Sequence, residues 1–217
     1  MQLPEGIILI DKPSGITSFD VIRRLRQKLQ TSKIGHAGTL DPLASGLLII
    51  GIGVGTKHLS FFLNQTKKYR AEILLGVGTD SGDTDGKVLQ DVPVPPVDKK
   101  LLEETLAGMV GVLRLPIPIY SAIKRGGEPL YKKARRGEHV VPSVRDMEVS
   151  EMNLYDSYPQ GEHYVVVVEC LVESGTYVRS LAEELGRRLN VPATICGLRR
   201  LSIGEARVED AKKLEEI

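Results

Sequence analysis

The sequence predicts an α+β fold: a mixed, mostly antiparallel central sheet flanked by helices, with one basic loop inserted. Three observations carry this. Strand-like and helix-like segments follow one another in no regular order, which argues against a repeating parallel βαβ chain. Tyr69, Ala71, Ile73, Leu75 and Val77 alternate with period two. Val21, Ile22, Leu25 and Leu29, and later Val178, Leu181, Ala182, Leu185 and Leu189, fall at helical spacing.

The elements follow in order. An apolar strand covers 6–11, and a turn follows at 12–15. Thr17 and Asp20 stand in capping-box spacing and start a helix. Residues 33–56 are Gly-rich and read as loop, short apolar strand, loop. A strand covers 68–78, a turn 79–86, and the chain returns from 87. Three prolines make 91–97 a linker, and 98–108 looks helical. Residues 114–139 read as a long loop with a short helix near 130–136. Strands follow near 144–155 and 163–172, a helix over 176–189, a strand over 194–203, and a charged helix at the end.

The totals bound the function. The 217 residues suffice for one large domain or two small ones. Hydrophobic residues make up 41% and charged residues 26%, as expected of an ordinary soluble core. No apolar run approaches the roughly 18–20 residues of a membrane span. Cys170 and Cys196 are the only cysteines, too few for a disulfide framework; both read as buried, reduced thiols of a cytoplasmic protein. Net charge is +1, but the basic residues cluster: Lys124, Arg125, Lys132, Lys133, Arg135 and Arg136 share one stretch with two glutamates. Such clusters form either a basic face for nucleic acid or ordinary solvated surface.

Several motifs fail. Gly53-Val-Gly-Thr-Lys57 lacks the phosphate-loop spacing. The turn at 80–86 resembles a calcium loop but has Val92 where a bidentate glutamate is needed. The histidines, His36, His58, His139 and His163, show no ligand spacing. Metals and nucleotide cofactors are therefore both disfavoured.

One passage carries chemistry: residues 35–46, GHAGTLDPLASG. Its glycines permit positive φ or close backbone approach. Pro42 keeps Asp41 out of helical geometry. A carboxylate held this way, just ahead of an apolar strand, belongs on a stiff loop at the edge of a core, where functional residues gather. An aspartate that merely caps its own turn fits the same pattern.

The passage closely resembles the motif GHxGTLDPxASGxLxxxxGxxTK of the bacterial tRNA pseudouridine-55 synthase family (pseudouridine synthase B). Further matches follow in order: 9–18 (LIDKPSGITS), 67–69 (KKY), 75–86 (LGVGTDSGDTDG), 120–124 (YSAIK), 130–137 (LYKKARRG), 175–181 (GTYVRSL) and 198–201 (LRRL). The resemblance covers about 6–205 and implies one pseudouridine-synthase-like catalytic domain over 1–217.

What the resemblance implies is the isomerisation of uridine to pseudouridine at position 55, in the T-loop of tRNA, by base flipping and without metal or cofactor. Asp41 matches the essential aspartate, which attacks C1′ or removes the C2′ proton. Arg179 matches the arginine that pairs with it. Tyr69 matches the tyrosine stacked on the target base. Tyr177 and Leu198 match pocket-lining positions, and His36 a histidine that fills the space the flipped nucleotide leaves. Lys12 and Pro13 match a motif that supports the active-site loop. Residues 121–139 match an insertion that clamps RNA, with Lys124, Arg125, Lys132, Lys133, Arg135 and Arg136 as its phosphate contacts.

Two departures stand out. Pro116-Ile-Pro118 replaces the usual adjacent prolines. The chain also ends at Ile217, with no room for the RNA-binding domain of the PUA type that many members carry. The expected partner is the T-arm of tRNA, with no membrane, no obligatory protein partner and a monomeric state. Two other functions are kept: a T-arm RNA-binding or folding factor, and a guide-RNA-dependent pseudouridine synthase.

Overall fold

The computed structural model describes residues 3–121, 123–125, 127–130, 136, 138 and 142–217. They divide into two compact units: Met1–Ala71 with Glu169–Ser174 and Gly197–Ile217, and Glu72–Val168 with Gly175–Cys196. Each of the strands Lys67–Leu75, His163–Val172 and Ala193–Ile203 gives residues to both units.

In the first unit the organising strand is Ser45–Ile52. Leu47, Leu48, Ile49 and Ile50 are all fully buried. Leu47 and Ile49 join a cluster with Leu9, Phe62 and Ile203, while Leu48 and Ile50 join another with Ile10, Val21 and Leu25. A strand buried on both faces reads as an unbroken apolar run rather than an alternation. Burying its four side chains contributes roughly 6–12 kcal/mol of gross transfer free energy.

One edge of this strand pairs antiparallel with Ile7–Lys12, Ile10 facing Leu48. The other edge changes partner partway along. Ile34–Ala37 pairs antiparallel with its C-terminal half, Ala37 facing Ile49. Ala193–Ile203 pairs parallel with its first residues, Arg199 facing Ser45 and Arg200 facing Gly46. The chain leaving Ala37 cannot continue along this edge because Arg199 and Arg200 occupy it. Residues 38–44 therefore leave the sheet as a loop, and Asp41 lies on that loop.

The helix Ser18–Leu29 starts as its sequence requires. Thr17 accepts from the Asp20 N–H at 3.0 Å, and the Asp20 carboxylate accepts from the Thr17 N–H at 2.8 Å. Val21, Ile22 and Leu25 are buried. Leu29 is 38% exposed, because the helix ends at Gln30 in the left-handed region (φ 52°) before the apolar stripe completes another turn.

The second unit contains the hairpin of Val77–Thr79 and Val88–Asp91. Its helix Lys99–Ala107 is capped by the Asp98 side chain on the Leu101 N–H at 3.0 Å. Gly111–Pro116 pairs antiparallel with the long strand Val144–Gln160. Lys99–Ala107 packs on Val144–Gln160, and the helix Val178–Arg188 packs on Gly111–Pro116. Antiparallel pairings dominate with parallel ones among them, as the sequence predicts.

Four expectations are corrected. Ile34–Ala37 is a strand, not loop. Gly35 sits opposite Gly51 there, which is the close backbone approach that its glycine permits. Residues 114–116 end the strand Gly111–Pro116 instead of opening a loop. The C-terminus forms no α-helix; buried Val208 and Leu214 pin two short 3-10 turns, Val208–Asp210 and Leu214–Glu216. A segment this short is marginal as a helix without a continuous apolar stripe. Cys170 is buried but Cys196 only half-buried, and both thiols are free. The helix expected near 130–136 lies almost wholly outside the described residues. Among the described residues, no helix is long and apolar enough to cross a membrane.

Candidate active site

The loop bearing Asp41 is held by its backbone. Ser18 Oγ donates to the Leu40 carbonyl at 3.0 Å and accepts from the Leu40 N–H at 2.8 Å. The Gly15 N–H donates to the Pro42 carbonyl at 2.8 Å, and Ser14 Oγ to the Leu43 carbonyl at 2.8 Å. The Asp41 carbonyl accepts from the Ala44 N–H at 3.1 Å. Every residue from 40 to 43 is thus tied through main-chain atoms, and the half-buried Asp41 side chain contributes none of these bonds.

Positive charge lies beneath. Lys12 is fully buried, and its ammonium donates to the carbonyls of Pro13 (2.9 Å) and Ile16 (2.7 Å), fixing the turn that holds residues 42 and 43. Burial pushes its pKa down to about 8, against the attraction of Asp41. Arg200, 1% exposed, donates from Nε to the Leu47 carbonyl at 2.7 Å and from Nη2 to the Gly38 carbonyl at 3.1 Å. Lys67, 7% exposed, is likewise pushed down to about 8, first by burial and then by Arg200.

These two lysines give a pH prediction. Their folded pKa values lie below the ordinary 10.5, so the unfolded chain binds more protons between pH 8 and 10.5 and stability rises with pH there. Burial raises the thiols of Cys170 and Cys196, which oppose this once unfolded thiols ionise, near pH 9. The lysines outweigh the thiols at pH 8–9. Urea unfolding should give up to about 1 kcal/mol more stability per lysine at pH 9 than at pH 8. The increment should shrink in K67M; an identical increment in K67M would contradict the assignment.

Four of the expected site residues belong to the first unit: His36, Asp41, Tyr69 and Leu198. His36 is on the strand Ile34–Ala37. Burial, then the charge of Arg200, lowers its pKa, which favours the neutral imidazole. Its Nδ1 is buried with no hydrogen-bond partner among the described residues. Tyr69 is 8% exposed on Lys67–Leu75, facing away from Lys68 and Arg70. Those two cations pair with Glu169, at 2.8 and 2.7 Å. Leu198 is half-buried, on the face of its strand that also carries Arg200.

Tyr177 and Arg179 belong to the second unit. Tyr177 is the N-cap residue of Val178–Arg188, and Arg179 lies in the first turn, where the sequence predicts it. Arg179 is 6% exposed. It donates from Nη1 to the Ser81 carbonyl at 2.8 Å and from Nη2 to the Tyr120 carbonyl at 3.0 Å. The buried Asp83 carboxylate stands 3.7 Å from Nη1. Ser81 Oγ in turn donates to Asp83 Oδ1 at 2.6 Å.

Of the expected RNA contacts, Arg136 is engaged by two carboxylates, Glu128 at 2.6 Å and Glu138 at 2.7 Å. Only the backbones of Lys124 and Arg125 are described, pairing with Glu128 and Pro129. Lys132, Lys133 and Arg135 lie outside the described residues.

Sequence reasoning gave no role to Asp83, Lys67 or Arg200. Arg200 carried no local signal: it follows Arg199, and Thr194, Cys196 and Ser202 share its strand face with Leu198, so nothing in the segment alone marks that face as buried.

A carboxylate on a main-chain-braced loop over buried cations suits attack at carbon or removal of a proton. Residues 26–178 match the family model described as "TruB family pseudouridylate synthase (N terminal domain)". The tRNA pseudouridine synthase B of Xanthomonas campestris is 43% identical over 212 residues, 98% of this chain and 68% of that protein. That of Opitutus terrae is 42% identical over 98% of this chain and 87% of its own length. A chain in a crystal structure of a Cbf5–Nop10–Gar1 complex superposes with a TM-score of 0.71 at 26% identity, over 97% of this chain. This chain spans about half the length of that one, 52%. The protein belongs to the TruB family of pseudouridylate synthases.

Proposed function

We propose that the protein isomerises uridine to pseudouridine at position 55, in the T-loop of tRNA, with Asp41 as its catalytic carboxylate. The observation that carries this reading is the Asp41 loop: one carboxylate, braced by main-chain bonds on both sides and set over Lys12 and Arg200. The relatives, each a tRNA pseudouridine synthase B and up to 43% identical, support the substrate class.

In this reading Asp41 acts at the ribose, at C1′ as nucleophile or at C2′ as base, and Arg179 is its cationic partner. Tyr69 offers a ring face to the flipped uracil, and a stacking face tolerates the base turning over between bond breaking and bond making. Tyr177 and Leu198 line the base pocket. His36 fills the gap the nucleotide leaves, which suits a neutral imidazole with an unsatisfied nitrogen. Residues 121–139 clamp the RNA, with Lys124, Arg125, Lys132, Lys133, Arg135 and Arg136 meeting phosphates. The enzyme works in the cytoplasm as a monomer without a protein partner.

The likeness to a chain from a Cbf5–Nop10–Gar1 complex favours one second reading, a synthase that works with a guide RNA and partner proteins. One experiment separates the two. A tRNA transcript is incubated with the protein alone, and pseudouridine is located by carbodiimide adducts that stop reverse transcription. A single stop at the T-loop uridine is expected. No stop without a guide, or stops scattered over the transcript, would contradict the reading.

A further inference from the structure

We propose that Arg200 is the positioning residue for Asp41: one buried guanidinium spans both flanks of the 38–47 loop and supplies the positive setting in which the carboxylate works. The inference rests on the uridine-isomerase reading above and goes beyond it.

The geometry is specific to the loop. Arg200 holds the Gly38 carbonyl, three residues before Asp41, at 3.1 Å and the Leu47 carbonyl, six residues after it, at 2.7 Å. The two glycines at the loop's ends both fit against this one residue. Gly46 (φ +103°) lies opposite the Arg200 backbone, where a Cβ would stand 2.7 Å from the Arg200 nitrogen. Gly38 (φ +86°) lies against the guanidinium, its Cβ position 3.5 Å from Nη1. Arg200 thus fixes the spacing of the loop's ends through its backbone at one and its side chain at the other. Ser18, Ser14 and Gly15 brace the middle.

The charge needs its own explanation. Among the described residues the acceptors of Arg200 are neutral carbonyls, and it is 1% exposed. A buried cation without a carboxylate partner is poorer for stability than a well-packed apolar side chain. Its field reaches the groups around the loop: it lowers the proton affinity of Lys12, Lys67 and His36, and Lys12 in turn is attracted to Asp41. Lys12, which feels both Arg200 and Asp41, joins them in one charged cluster, and positive charge near a carboxylate stabilises the ionised form that either role of Asp41 requires.

The test compares wild type, R200K and R200M as full chains on a tRNA transcript. Circular dichroism and melting establish folding, filter binding gives Kd, and single-turnover tritium release from C5-labelled uridine gives the rate against pH. The expected result for R200M is a rate about 100-fold lower, the usual cost of a misplaced reacting group. Its Kd should stay within about threefold, since Arg200 is buried away from solvent. The acid limb of its rate profile should move to higher pH. R200K should keep the acid limb of wild type but lose about tenfold in rate, because one ammonium cannot span both carbonyls.

If R200M does not fold, R200K decides. A rate within threefold of wild type in the folded variant, or an acid limb unmoved in folded R200M, overturns the proposal. A wild type with no turnover removes the isomerase reading itself, and Arg200 positioning with it. An active wild type beside an unaffected variant removes the Arg200 proposal alone.

Discussion

Replacing Asp41 with asparagine should abolish measurable turnover on tRNA, lowering the single-turnover rate by about 10⁴-fold, the upper end of what one positioned proton-transfer group contributes. Fold and tRNA affinity should be unchanged. The reason is local. The bonds that shape the loop run from Ser14, Gly15, Ser18, Ala44 and Arg200 to backbone atoms, so an amide at position 41 leaves them in place. Asparagine keeps the size of the side chain and loses its negative charge, which both attack at C1′ and proton removal at C2′ require. Rate and affinity measured on the same preparation separate this from a folding factor, whose effect on the T-arm would survive D41N.

The second large effect falls on Arg179. R179A should lose about 3–5 kcal/mol of stability, the usual cost of removing one partner of a buried pair. The two side chains are 7% and 9% exposed, so solvent cannot compensate. Without the guanidinium, the carbonyls of Ser81 and Tyr120 lose their donors, and the Asp83 carboxylate is left with Ser81 Oγ. Because Arg179 is the proposed cationic partner of Asp41, its loss should also lower the rate by at least about 100-fold at a temperature where the variant is folded. R179K keeps the charge but cannot serve both carbonyls in one fork, so it should recover part of the stability and little of the rate. Urea unfolding with single-turnover assays reads both effects. A folded R179A within about 1 kcal/mol of wild type would contradict this account of the Asp83–Arg179 site.

Local rules that act within a few residues were legible in the sequence. The Thr17–Asp20 capping box and the apolar stripe of Val21, Ile22 and Leu25 appear where the pattern predicts them, whereas the alternation expected through Gly78 breaks at Gly76 (φ +103°). The strand Ile34–Ala37 was hidden because its glycine pairing with Gly51 is a packing relation between segments, and Gly-rich sequence reads first as turn. Arg200 was hidden for a related reason. Beside Arg199, which is solvent-facing enough to pair with Asp11 at 2.7 Å, it resembles a surface pair. Strand alternation sends the two arginines to opposite faces, and only the sheet order decides which face is core. Asp83 sat inside a turn judged against a calcium pattern, whereas its partner Arg179 lies far along the chain. The last segment reads as a charged helix from its charge density, while only Val208 and Leu214 anchor it.

The most direct test of the central claim is tritium release from a guide-free tRNA transcript labelled at C5 of uridine. Isomerisation forms a carbon–carbon bond at C5 and must expel that hydrogen. The account predicts release of one equivalent per tRNA by the wild type and none by D41N. Release by D41N at the wild-type rate, or none by a folded wild type that binds the transcript, would contradict it.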